Sequence, residues 1–250
     1  MRNSLPNKSV KENHFNLPVV VVACQVFESM LNRMLSPSMV EQLTYLDYGL
    51  HANPKQLTAA LQEKIDQIED PSLIVLGYGL CGNGLDGLQS RQHVMLIPRA
   101  DDCIAMFFGS YQAFKEDFDG NSGSYYLTKG WLESGSDPLL EYQELVEKYG
   151  VETADWIMEQ QYQNYKRLVY VELPDEEKAE YEPRMAAIAA YCERFGMKYE
   201  VVRGSDRFIE QLLDAVTRLN QSAADFLLVP PGSELQQRHF LRMDNSPSKS

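Results

Sequence analysis

Four short runs rich in Val, Ile and Leu limit what the first hundred residues can fold into: Val19–Ala23, Leu43–Leu46, Leu73–Leu76 and Val94–Ile97. Each is strand length, and helical periods lie between them. Glu28 to Met34 has the spacing of a short helix stopped by Ser36-Pro37. Leu57, Leu61, Ile65 and Ile68 repeat at helical spacing, with Asn53 as N-cap, Pro54 as first helical residue and Asp70-Pro71 as stop. Strands alternating with helices predict an α/β fold with mainly parallel, Rossmann-like sheets flanked by helices.

The pattern restarts in the second half. Arg167–Val171, Lys198–Val202 and Phe226–Val229 read as strands, and Glu176–Phe195 and Phe208–Leu219 as helices. Met185, Ile188, Ala189 and Cys192 share one helical face, which makes Cys192 a core residue. A helical stretch over Asp137–Lys166 joins the halves. A further helix is expected from Cys103 or Ile104 to about Phe114, and Gly123–Trp131 reads as an extended segment or lid. The expected organisation is two similar α/β halves with a cleft between them. An N-terminal half spans 17–135 and a C-terminal half 136–241, between disordered tails at 1–16 and 242–250.

Charge narrows the partners. With 36 acids against 23 bases the net charge is −13, the wrong footprint for nucleic acid or an anionic membrane. No segment reaches the ~18 consecutive apolar residues of a membrane span. The N-terminus lacks the apolar core of a secretion signal, so a cytoplasmic, reducing compartment is expected. In that setting four cysteines point to metal or catalysis more than to disulfides.

Three of those cysteines and one histidine follow the first four strands. Cys24 ends the first, His51 follows the second, Cys81 the third and Cys103 the fourth. In an open parallel sheet, ligands bind outside the carboxyl ends of the strands. Together the four match a Cys₃His zinc set, although their spacings of 27, 30 and 22 residues are far from a zinc-ribbon signature. Each also has a plainer reading. Cys24 and Cys103 fit as small core residues, and His51 as a surface or capping histidine. Cys81 resists this, because it stands in Gly77-Tyr78-Gly79-Leu80-Cys81-Gly82-Asn83-Gly84. There exposed N–H groups can stabilise a thiolate or cradle an anion. Gly77, Tyr78, Gly79, Gly82, Asn83 and Gly84 are therefore candidate cofactor-binding residues. The spacing is neither a phosphate loop nor a dinucleotide fingerprint.

Catalytic candidates are His51, as fourth ligand or general base, with Arg99 and Asp102 just before Cys103. Arg99 suits a carboxylate or phosphate clamp, or a structural ion pair. Asp47 and Glu28 suit second carboxylates that orient a ligating histidine. Tyr78, Tyr125, Tyr126, Lys129 and Trp131 suit a pocket wall, and equally a core. His14, His93 and His239 read as tail, strand-flank and C-terminal surface residues.

Several runs resemble one known family. They are Asp47–Pro54, Gly77–Gly84, Pro98–Ile104, Phe108-Gly109-Ser110 and Ser124–Glu133. The family is catalogued as domain of unknown function 1638, and the resemblance covers roughly Val19 to Gly232. Ser124 stands where the family run has threonine. The resemblance implies an association with corrinoid-dependent methyltransferases, near which members are often encoded. Three functions compete. The first is a zinc-thiolate enzyme of small-molecule metabolism, leaning to methyl or one-carbon transfer. The second is a protein that binds or delivers a corrinoid, a metal or an iron–sulfur cluster to a methyltransferase system. The third is a metal-free enzyme with Cys81 as nucleophile and His51 as its base. The expected partners are a small-molecule substrate and a corrinoid protein or methyltransferase.

Overall fold

The computed structural model of the protein describes residues 16–174, 176–217 and 225–242. The expected terminal tails lie outside these residues except at their inner ends, as do His14 and the end of the helix expected to reach Leu219. Among the described residues, eight strands form two sheets. In chain order they are β1 (Val19–Cys24), β2 (Gln42–Leu46), β3 (Leu73–Gly77), β4 (Val94–Pro98), β5 (Ser124–Leu127), β6 (Arg167–Glu172), β7 (Lys198–Arg203) and β8 (Phe226–Val229). The first sheet has the order β2-β1-β3-β4-β8 and the second β5-β6-β7. All pairings are parallel except β4 with β8.

β1, β3 and β4 are buried along their whole lengths, which is why they read as unbroken apolar runs rather than as alternation. β6 joins the two cores. Val169 and Val171 enter the core of the first sheet, while Leu168 and Tyr170 face a second core with Tyr162, Met185 and Ile188. Successive side chains leave opposite faces of a strand, so one strand serves both.

The helices follow their expected signals with three differences. α1 (Glu28–Met34) and α2 (Pro54–Asp66) form as read, and α2 buries Leu57, Leu61 and Ile65. Asn53 caps α2 by accepting the Gln56 N–H at 3.3 Å. The helix expected from Cys103 to Phe114 is two helices, α3 (Ile104–Phe107) and α4 (Tyr111–Gly120). Gly109 between them has φ +78°, and the Ser110 hydroxyl starts α4 by accepting the Ala113 N–H at 3.1 Å. The expected lid is strand β5 followed by α5 (Lys129–Glu133). The long helical stretch breaks at Gly150, φ +80°, into α6 (Pro138–Tyr149) and α7 (Val151–Tyr162). α8 (Lys178–Cys192) buries Met185, Ile188 and Cys192 as expected.

The strands do not follow the expected halves. β8, read as the last strand of the second half, returns to the first sheet and pairs antiparallel with β4. The helix before it explains this. α9 (Arg207–Thr217) puts Phe208, Ile209, Leu212 and Val216 into the core of the first sheet, and Phe208 meets Phe226 edge to face at 5.4 Å. β5, read with the first half, pairs with β6 in the second sheet.

Candidate thiol site

The order β2-β1-β3 means that the chain leaves β1 to one side and then crosses to the other. Such a reversal opens a crevice at the carboxyl ends of the two strands, the usual ligand position in open α/β sheets. Cys24 ends β1, and the glycine-rich loop follows β3. Where these two strands end, Ala23 lies opposite Gly77, and a Cβ on Gly77 would come within 2.6 Å of the Ala23 Cβ. Glycine is required there by close packing.

Backbone bonds bring the third thiol in. The Leu80 N–H donates to the Ala100 carbonyl at 2.8 Å and the Cys81 N–H to the Asp101 carbonyl at 2.9 Å. The loops after β3 and β4 thus run side by side. Gly79 approaches so closely that its Cβ would sit 2.6 Å from the Asp102 carbonyl carbon. As a result the Cys81 and Cys103 sulfurs stand 3.5 Å apart, both buried. Cys24 couples electrostatically to Cys103, so the three thiols gather at this end of the sheet, with Cys81 and Cys103 the pair in contact. Two backbone N–H groups face this row and act downward on its thiols, that of Val26 on Cys24 and that of Gly79 on Cys103.

Cys81 is held in an uncommon backbone conformation. Cys81, Gly82 and Asn83 have φ of +47°, +63° and +75°, a left-handed turn closed by the Gly84 N–H on the Cys81 carbonyl at 3.2 Å. Left-handed conformation costs an ordinary L-residue ~1–2 kcal/mol, and such strain clusters at functional sites. Asn83 tolerates it and is exposed. Asn83→Val is therefore expected to lower stability by about 1–2 kcal/mol, and Asn83→Gly to leave it within about 0.5 kcal/mol. Urea unfolding midpoints of the two variants check this.

Electrostatics keep the Cys24 and Cys103 thiols neutral. The coupling to Cys103, then burial, pushes the Cys24 thiol far above its ordinary range. For Cys103 the coupling to Cys24 acts downward, but the contact with Cys81 and burial together hold it well above. Tyr78, 2 % exposed, has its phenol pushed up by burial and then by the charges of all three thiols. Its hydroxyl is buried and, among the described residues, has no hydrogen-bond partner. A buried orphan of this kind marks strain, catalysis or a missing ligand.

The other candidates lie differently. His51 is exposed on a 3₁₀ turn over Tyr48–Ala52, which Asp47 caps by accepting the Gly49 N–H at 2.7 Å. Its Nδ1 bonds the Tyr48 carbonyl at 2.6 Å. A carbonyl only accepts, so Nδ1 carries the proton and Nε2 is left as the acceptor or ligand atom. Among the described residues, no hydrogen bond or ring contact joins His51 to the thiols. Arg99, expected to clamp an anion at the site, points to the C-terminal segment. It donates to the Leu241 carbonyl and lines a cleft with Leu227, Ser233 and His239. Asp102 caps the start of α3, accepting the Ile104 and Ala105 N–H groups at 2.9 and 3.3 Å. Burial pushes its carboxyl up, and those two bonds oppose the shift.

Of the glycine-loop candidates, Gly77, Gly79 and Gly84 pack against Ala23, Asp102 and Leu57, while Gly82 and Asn83 form the exposed tip. Glu28 lies in the first turn of α1. Tyr126 and Trp131 pack against the first core and Tyr125 against the second, while Lys129 pairs with Glu180 at 2.6 Å. His93, expected at a strand flank, directly precedes β4, where it is 1 % exposed and accepts the Ser72 N–H at 3.3 Å. Sequence reasoning missed the Val26 N–H and Gly79 N–H donors, which carry no side-chain signal.

Among the described residues, no group of three or more His, Cys, Asp or Glu side chains stands already set as a metal-binding cluster. The fit is closest for Cys81 and Cys103. Two sulfurs on one tetrahedral zinc, each bonded at ~2.3 Å, lie about 3.8 Å apart, close to the 3.5 Å observed. No helix among the described residues is long and apolar enough to cross a membrane. No curated protein and no solved structure matches this chain significantly. A family model does match residues 45–213, a span that holds His51, Cys81 and Cys103 and begins after Cys24. The chain therefore belongs to the family described as protein of unknown function (DUF1638).

Proposed function

We propose that this protein is a thiolate-dependent metalloenzyme of small-molecule metabolism that holds zinc through Cys81 and Cys103, with Cys24 completing the set. One observation carries the reading: thiols from three strand ends meet in a row beside the β1–β3 crevice. Zinc held by thiolates can lower the pKa of a bound thiol or water and so provide a nucleophile at neutral pH, which suits methyl or one-carbon transfer. The chain's own residues have narrower roles. The Gly79 and Val26 N–H groups steady two of the sulfurs, and the left-handed turn aims the third. The Tyr78 hydroxyl is positioned to donate to a substrate atom beside the cluster. His51, with its Nδ1 proton committed to Tyr48, keeps Nε2 for a fourth ligand position or for accepting a proton.

Anaerobically purified protein is expected to bind one equivalent of zinc by elemental analysis. Cobalt in its place is expected to give the intense absorption of sulfur-to-metal charge transfer. Absence of both would remove the metal reading. It would leave Cys81 as a metal-free nucleophile, which its exposed turn and uncommon backbone favour.

A further inference from the structure

We propose that Cys81 and Cys103 are also a redox-modified pair, forming a reversible disulfide when a hydroperoxide enters the site. The inference goes beyond the metal reading and does not require it. The sulfurs are 3.5 Å apart and need to close by about 1.5 Å to reach bonding distance. The two backbones are already aligned. Segments 79–81 and 100–103 are joined by the Leu80–Ala100 and Cys81–Asp101 hydrogen bonds. The Cys81 side also has room to move, because the next two residues of its turn are exposed.

Atoms and electrons balance with the peroxide as sole oxidant. The Cys81 sulfur attacks one peroxide oxygen and the O–O bond breaks. The sulfur gives up two electrons, and sulfenic acid and one water form. The Cys103 sulfur then attacks the Cys81 sulfur. The S–O bond breaks, and the departing hydroxide takes the Cys103 thiol proton as a second water. Cys81 is the entry point because the next two residues of its turn are exposed, whereas Cys103 opens the fully buried helix α3. Cys24, the third thiol of the cluster, becomes the partner of Cys103 only when Cys81 is absent. Cys192, fully buried in the second core, is outside this relay and serves as an internal control.

The test treats the full-length, chelator-stripped protein with hydrogen peroxide, alkylates it under denaturing conditions and maps peptides without reduction. The expected result is a Cys81–Cys103 cross-link, with loss of two of the four alkylatable thiols, restored by a dithiol reductant. Cys81→Ser is expected to redirect the cross-link to Cys24–Cys103. Cys103→Ser is expected to abolish it and leave Cys81 over-oxidised to the sulfinic acid. Circular dichroism of both variants checks that they are folded. The proposal is overturned if wild-type Cys81 and Cys103 stay alkylatable while the half-buried Met34 and Met39 oxidise. A wild-type Cys24–Cys103 link without any Cys81 link, or Cys192 in equal yield, also overturns it. Metal binding is read separately on reduced protein, so either result can fail alone.

Discussion

Cys103→Ser is expected to weaken zinc binding by on the order of 10²–10³-fold, measured by competition with a chromophoric chelator on reduced protein. Structural zinc sites bind with roughly 10–16 kcal/mol shared among four ligands, about 3–4 kcal/mol each, and ~1.4 kcal/mol is a factor of ten. Cys103 lies 3.5 Å from Cys81 and couples to Cys24, so its loss isolates Cys24 from Cys81. Cys81→Ser should come close to the same loss and Cys24→Ser should cost less, because Cys24 has to move toward the pair. Cys192→Ser should leave the affinity unchanged. Equal affinity in wild type and Cys103→Ser would mean that any bound metal sits elsewhere.

Gly130→Ala is expected to destabilise the fold by about 3 kcal/mol, where a helical glycine ordinarily gains about 1 kcal/mol on replacement by alanine. Gly130 lies in α5, and its added Cβ would stand 2.3 Å from the Val26 carbonyl oxygen and 2.7 Å from the Val26 Cα. Both are backbone atoms, so no side-chain rotation relieves the clash. For a chain of this size the loss corresponds to a fall of roughly 6–12 °C in Tm. Gly120→Ala is the control, since a Cβ there meets nothing within 4 Å and its φ is not left-handed. Val26 also supplies the N–H that steadies Cys24, so Gly130→Ala should make Cys24 more reactive to alkylating agents. A wild-type Tm for Gly130→Ala would refute the packing of α5 on this turn.

The route from sequence to site succeeded where local chemistry and topology agree. Fully buried parallel strands show as unbroken apolar runs, and the rule for their carboxyl ends puts Cys81 and Cys103 at one end of the sheet, where their sulfurs stand 3.5 Å apart. It failed where direction is set by distant packing. Arg99 follows β4 as closely as Cys103 does, yet its long side chain turns toward Leu241, a partner that becomes a neighbour only because β8 returns to β4. Nothing near Phe226–Val229 encodes that return, which is driven by the apolar face of α9. His51 sits at the right strand end, but the 3₁₀ turn and its Nδ1 bond to Tyr48 fix the ring at the surface. Gly109 and Gly150 broke two expected helices because apolar periodicity alone does not register a left-handed residue.

The exchange of β5 and β8 between the sheets also bears on how the polypeptide emerges from the ribosome. The β4 edge stays unpaired until Val229 has been made, more than a hundred residues after β4 itself. Through that interval an apolar strand edge lies open to wrong partners, the usual hazard of long-range pairing. The two sheets therefore do not mature in sequence as independent pieces. Closure of the first waits on synthesis of the second, and a chain cut between them would leave each fragment with a strand missing.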